Sequence, residues 1–290
     1  MKFYILDVFA EEKYAGNQLA VIRGNPSTEQ MHTLAREMNY SETTFITSDV
    51  PEDGGYNTRI FTPASELQFA GHPTLGTAYV VREEIIGEPV EEVVLNEGVG
   101  QIPVEFAEDG VLWMTQQQPQ FGTVFKRKKI AKILSLLPDE IDNDFPIQEV
   151  STGLPFIMVP LKTMKSVKRA QVKVKRFKKL LAETETMLGA DALFVFCPHT
   201  EDPDNDIHAR CFVHLHGIPE DPATGSANGN FAAYLVKHHY YGGTLIDIRV
   251  EQGYEIQRPS LLHLRASEDD GQFDIRVGGH VQLVARGELV

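Results

Sequence analysis

Phe69-Ala70-Gly71-His72-Pro73-Thr74-Leu75-Gly76-Thr77-Ala78-Tyr79-Val80-Val81 and, about half a chain later, Asp221-Pro222-Ala223-Thr224-Gly225-Ser226-Ala227-Asn228-Gly229-Asn230-Phe231-Ala232-Ala233-Tyr234-Leu235-Val236 read as one pattern used twice. In each, an entrance of Pro, Gly and small hydroxyl residues leads into a helix that is apolar almost all round, from about Thr74 in the first and Ala227 in the second. A helix without a polar face must be wrapped on all sides. The chain offers a wrapper, because short apolar runs separated by Gly, Pro, Asn and Asp recur at Tyr56–Phe61, Gly100–Phe106, Val111–Met114, Phe156–Val159, Ala192–Phe196, Ile207–Val213, Leu245–Val250 and His280–Arg286. The pattern predicts an α+β protein built as an internal duplication, each half a curved sheet around one central helix.

The two entrances also suggest chemistry. Gly71 and Gly225 let a ligand approach the N–H groups of a helix N-terminus, where the dipole favours an anion such as a carboxylate. Read singly, Thr74 or Ser226 is a helix cap. Read together, the stretches favour an anion site. A further helix opens at Ser27, where Gln30 completes a capping box and Met31, Leu34, Ala35 and Met38 form an apolar stripe.

The 290 residues suit two halves, and 42% hydrophobic with 23% charged residues is globular composition. No run reaches the roughly 18 uncharged residues of a membrane helix. The start, Met1 to Phe9, is broken by Asp7 and reads as a first strand rather than a signal peptide. Cys197 and Cys211 each lie in an apolar stretch, so buried free thiols and a cytoplasmic location are expected. A net charge of −14 argues against bulk attraction to nucleic acid, and no membrane partner is expected. Between Lys126 and Lys179, however, fourteen Lys and Arg face five Asp and Glu. Within that segment the run Lys162 to Lys179 offers two readings, a nucleic-acid or anionic-partner patch and the solvated face of a helix carrying Phe177, Leu180 and Leu181. The second is preferred, because no aromatic stacking platform or nucleic-acid motif accompanies the run.

His208, Cys211, His214 and His216 cluster in the sequence, which raises a metal site as a reading. On one strand the three His would share a face and Cys211 the other, so no metal is expected, and the His read as a solvated strand face. The Gly-x-Ser-x-Gly elbow, the phosphate-binding loop and the dinucleotide fingerprint are all missing, which removes support for hydrolase, nucleotide and hydride-transfer readings.

Five segments, in order, resemble the PhzF-like proteins of the phenazine-biosynthesis isomerase type. They are Asp7-Val8-Phe9 with Ala15-Gly16-Asn17-Gln18-Leu19-Ala20-Val21; Tyr40-Ser41-Glu42-Thr43-Thr44-Phe45; Arg59-Ile60-Phe61-Thr62-Pro63-Ala64 leading to Gly71-His72-Pro73-Thr74; Gly217-Ile218-Pro219-Glu220-Asp221 through Ala227; and Gln252-Gly253 with Arg258-Pro259-Ser260. The resemblance implies a diaminopimelate-epimerase-like fold with halves at 1–118 plus 279–290 and at 119–278, and an active site in the cleft between them. It implies Glu42 as catalytic acid/base, with Gly71, His72, Asp221, Gly225 and Ser226 binding substrate, no cofactor, and a homodimer. Amino-acid epimerases of this fold carry a Cys at each helix entrance. This chain has none there, which disfavours a two-thiol racemase.

The residues allow the same chemistry. A partly buried carboxylate, its pKa raised, can act as base and then acid near neutral pH, and Glu42 stands at a strand start entering apolar surroundings. The expected function is proton-transfer isomerisation of a small carboxylate. The alternative is a non-catalytic metabolite-binding or protein-interaction module on the same fold, in which Glu42 would lie remote from any ligand.

Overall fold

A computed structural model describes residues 1–290. Its elements in chain order are β1 (Lys2–Val8), β2 (Asn17–Arg23), α1 (Thr28–Met38), β3 (Glu42–Ile46), β4 (Tyr56–Phe61), β5 (Glu66–Leu67), α2 (Gly71–Val80), β6 (Glu92–Glu97), β7 (Gly100–Phe106) and β8 (Leu112–Thr115). These are followed by β9 (Gln120–Val124), α3 (Arg127–Leu134), β10 (Gln148–Ser151), β11 (Pro155–Pro160), α4 (Met164–Arg169), α5 (Val174–Glu183), β12 (Leu193–Cys197) and β13 (Ile207–Phe212). The chain ends with α6 (Gly225–Lys237), β14 (Leu245–Gln252), β15 (Ser260–Asp269), β16 (Gln272–Gly279) and β17 (Val281–Glu288). It divides into two compact units, Met1–Thr115 with Gly278–Val290, and Gln116–Val277.

The strand pairing shows the duplication directly. In the first unit β1–β2 is antiparallel, β2–β3 parallel, β3–β4 antiparallel, β4–β6 parallel and β6–β7 antiparallel. In the second, β10 to β15 repeat the same alternation in the same order. Each parallel step needs a crossover. The crossovers match too: α1 or α4 and α5 serve the first parallel pair, and α2 or α6 the second.

The duplication holds residue by residue. Arg59 on β4 and Arg210 on β13 each make a bidentate pair, with Glu66 and Glu220, and each guanidinium stands over a ring two residues on, Phe61 or Phe212. Both glutamates lie five residues before the glycine that opens the helix. The closing strands match as well, since β4 and β6 pair Asn57 with Asn96 while β13 and β14 pair His208 with Glu251. Glu97 and Gln252 therefore occupy the same position of the repeat.

The two apolar helices are the cores expected of them. Every residue of α2 except Tyr79 is buried, and so is all of α6 from Gly225 to Val236. β1, β2, β3, β6, β7, β8 and β17 surround α2, and β10, β11, β14 and β15 pack on α6. Gly76 lets α2 approach closely, because a Cβ there would meet Leu19 Cδ2 at 2.5 Å and Val8 Cγ2 at 3.0 Å. The outer sheet faces are covered too: Met31 and Ala35 of α1 pack on Ile22, Phe45 and Phe61, while α3, α4 and α5 pack on Leu193, Val195 and Cys197. Phe194 and Phe196, pointing the other way from β12, stack on Phe231 of α6. The Ser27 capping box is present, with Gln30 N–H donating to Ser27 Oγ and Ser27 N–H to Gln30 Oε1.

One expectation is overturned. His208 is not on a solvated strand face; its ring is fully buried, hydrogen bonded through Nδ1 to Glu251 Oε2 and through Nε2 to Glu255 Oε1, both at 2.9 Å. His214 and His216 have left the strand and sit in a single 3₁₀ turn. Arg210, two residues on along the strand, lies on the same face as His208. That face is roofed, however: Arg210 Nη1 donates to the carbonyls of Val167, Lys168 and Ala170 around α4. Burial alone would push His208 down, but the Glu251 and Glu255 hydrogen bonds outweigh it and hold the imidazole at about 9, as a cation. The basic segment is an exposed face over buried Phe177 and Leu180, as expected. No helix is long and apolar enough to cross a membrane.

Candidate active site

In the first unit, Glu42 is the first residue of β3, paired with Leu19 of the neighbouring parallel strand. β3 has only two side-chain directions, and Thr44, two residues on and on the same face, bonds Thr77 of α2 through its hydroxyl at 2.8 Å. That face therefore looks at the buried helix. At the helix start, His72 Nε2 lies 3.5 Å from Glu42 Oε2. The side chains are 7% and 17% exposed, so the pair is withdrawn from bulk water with the carboxylate still reachable.

Burial pushes His72 down to about 3, against a backbone hydrogen bond with Gln18, so the ring is neutral through the physiological range. Asn17 Nδ2 approaches His72 Nδ1 at 3.4 Å and fixes the ring from its other edge. A neutral imidazole has one donor and one acceptor nitrogen and brings no positive charge to Glu42. It can therefore meet the carboxyl as a donor or as an acceptor.

No side chain caps α2, whose N-cap is Ala70, or α6, whose N-cap is Thr224. Thr74 and Ser226 therefore do not serve as N-caps. Thr74 instead lies one turn into α2 and contacts both Ala70 O and Glu97 Oε1 at 2.8 Å. Gly71 opens α2, and Gly225 followed by Ser226 opens α6. In the second unit Asp221 precedes that opening, its N–H bonded to Cys211 O at 3.0 Å and its Oδ2 accepting from Thr224 Oγ1 at 2.5 Å. The structure thus brings Glu42 and His72 together in one unit and collects Asp221, Gly225 and Ser226 at a helix entrance in the other.

Both thiols are buried away from chemistry of their own. Burial pushes Cys197 up to about 11 and Cys211 well above the usual thiol range, so neither is a thiolate at neutral pH.

The sequence pattern did not reveal Glu97, nor the tasks of Asn17, Thr224 and Gln252. Gln252-Gly253 was visible as a segment, and its geometry is specific. Gly253 has φ +80°, and a Cβ would meet Arg258 O at 2.4 Å and Pro222 O at 2.6 Å. The strand end after Gln252 thus lies directly against the entrance loop of α6. In the other unit Gly98 presses in the same way on Gln68.

Comparisons with known proteins identify the family and the fold. The family model described as "Phenazine biosynthesis-like protein", PhzC-PhzF, matches residues 6–287. An uncharacterized isomerase of Clostridium acetobutylicum is 32% identical over 99% of this chain and 97% of its own length. The trans-2,3-dihydro-3-hydroxyanthranilate isomerase of Pseudomonas aeruginosa is 32% identical over 91% of this chain and 90% of its own. A crystal structure of a Bacillus anthracis phenazine biosynthesis protein of the PhzF family superposes with a TM-score of 0.90 at 26% identity, covering 100% of this chain and 99% of the other.

Proposed function

Because the chain belongs to the phenazine biosynthesis-like PhzC-PhzF family and is an isomerase, we propose that it moves a proton between carbons of a small carboxylate-bearing substrate, with Glu42 as the acid/base. The observation that carries this reading is the contact of Glu42 with a buried, neutral His72 at a helix entrance that no side chain caps. Glu42 takes the proton from carbon, and the electron pair left behind delocalises toward the substrate's unsaturated or carboxylate end. The backbone N–H groups that follow Ala70 and Thr224 stabilise that charge, helped by the helix dipoles. The protonated Glu42 then returns the proton at a second carbon. One carrier serving both positions implies transfer on a single substrate face.

In this scheme His72 orients Glu42 and donates to or accepts from the substrate, while Asp221 and Ser226 hold its polar groups and Gly71 and Gly225 leave room for its carboxylate. The named activity of the Pseudomonas relative makes trans-2,3-dihydro-3-hydroxyanthranilate the first compound to test, at the head of a panel of cyclic and amino-acid-derived carboxylates. Each would be incubated with the protein in deuterated water and examined by NMR for label at carbon, with Glu42→Gln as control. Label or product with the wild type and none with the variant supports the reading. Equal labelling by both overturns the role of Glu42.

A further inference from the structure

Gln252 ends β14 fully buried and makes four polar contacts, all with the entrance of α6. Its Oε1 accepts from Asn228 Nδ2 at 2.9 Å and faces Thr224 N–H at 3.4 Å. Its Nε2 donates to Asp221 O at 2.9 Å and to Thr224 Oγ1 at 3.1 Å. This orientation is the only consistent one. Turning the amide over would set its NH₂ against two donors and its oxygen against a carbonyl.

The direction of the next bond then follows. Thr224 has one hydroxyl proton, and its oxygen already receives a proton from Gln252. The 2.5 Å contact with Asp221 Oδ2 is that hydroxyl donating its proton, because a carboxylate has none to give. Asn228, Gln252, Thr224 and Asp221 form a chain of hydrogen bonds all pointing one way, from the second turn of α6 to the carboxylate ahead of it.

We propose that Gln252 is a positioning residue, fixing the Asp221 carboxylate through the Thr224 hydroxyl so that its other oxygen keeps one direction. The inference deepens the assignment of Asp221 as a substrate-binding residue and rests on it for its catalytic consequence, but the chain itself does not depend on that assignment. The equivalent position of the first unit carries Glu97, which bonds Thr74 rather than a residue ahead of the helix, so the device belongs to the second entrance alone.

The test is NMR on the full chain, free of substrate, with Asp carboxyl carbons labelled with ¹³C and Asp221 assigned by Asp221→Asn. A Thr224 hydroxyl proton protected from exchange and shifted downfield is expected in the wild type. Its absence overturns the chain without any variant. Gln252→Leu removes the donor, and Gln252→Glu puts an acceptor in its place that competes for the Thr224 proton. Either should abolish the protected hydroxyl signal and move the Asp221 carboxyl resonance. Thr224→Val should do the same, and Thr224→Ser should restore both signals. Unchanged resonances in a folded Gln252→Leu or Gln252→Glu protein would refute the positioning role. With trans-2,3-dihydro-3-hydroxyanthranilate as probe, Gln252→Glu should lower kcat by about tenfold or more with a smaller change in KM. If even the wild type leaves this probe unchanged, the substrate assignment falls while the resonances still decide the role of Gln252.

Discussion

His72 Nε2 stands 3.5 Å from Glu42 Oε2, a contact between the first turn of a fully enclosed helix and the first residue of a strand that lies against it. The two residues are 30 positions apart in the sequence, and the Thr44–Thr77 hydroxyl pair ties the strand to the helix. A distance longer than a normal hydrogen bond suits a pair that tightens when substrate is bound.

Glu42→Gln preserves size and polarity but cannot accept a proton. Turnover of an identified substrate should fall by at least about a hundredfold while binding, measured by ligand-induced thermal stabilisation, persists. His72→Ala and Asp221→Asn should lower the rate less, because their tasks are orientation and charge stabilisation. Near wild-type turnover in Glu42→Gln would remove the proposed proton carrier.

Glu97 is 8% exposed, and burial raises its pKa from 4.5 to about 8, against the hydrogen bond from Thr74. A carboxyl raised in the folded state binds more protons there than in the unfolded chain. Its contribution to stability is thus complete below pH 4.5 and is lost as pH rises through about 8. Glu97→Gln mimics the protonated form and should flatten the stability profile across that window. Urea melts from pH 4 to 9 test this, and identical slopes in variant and wild type would count against a buried neutral carboxyl.

His208⁺ between Glu251 and Glu255 has the same sign of linkage in a different window. Its folded value of about 9 lies above the ordinary 6.5, so the stabilisation is full below pH 6.5 and declines as pH rises through 9. His208→Leu leaves the Glu251 carboxylate buried opposite an apolar side chain. The loss expected is about 3–5 kcal/mol, read from chemical denaturation at neutral pH. A loss below about 1 kcal/mol would show that the backbone N–H groups of Glu201 and Asp202 suffice to hold Glu251.

Gly76→Val forces α2 away from Leu19 and Val8 and should destabilise the protein by about 1–3 kcal/mol. Since His72 lies one turn earlier on the same helix, the shift should also impair turnover. A melting temperature equal to wild type would mean that the sheet gives way freely.

Gly71→Val and Gly225→Val act at the entrances themselves. Each should weaken carboxylate binding more than folding, seen as a reduced ligand-induced rise in melting temperature. Unaltered binding in both would disprove the anion-holding role.

The amino-acid order alone pointed to the architecture, because a helix apolar on every side must be wrapped, a strand-rich chain offers a curved sheet as the simplest wrapper, and two such helices half a chain apart announce a duplication. It also marked Glu42, His72, Asp221, Gly225 and Ser226 through motifs continuous along the chain. Tertiary structure decided the rest, because the deciding contacts join distant positions. His208 looked solvated by alternation, and only the register of β13 with β14 and the roof over Arg210 make it a buried cation 43 residues from Glu251. Gln252 lies 28 residues beyond Thr224 on another strand, and the direction of its amide depends on what donates and accepts around it. Residue type and spacing fix which faces are apolar; which polar group meets which depends on strand register and on close glycine contacts such as Gly253 against Pro222.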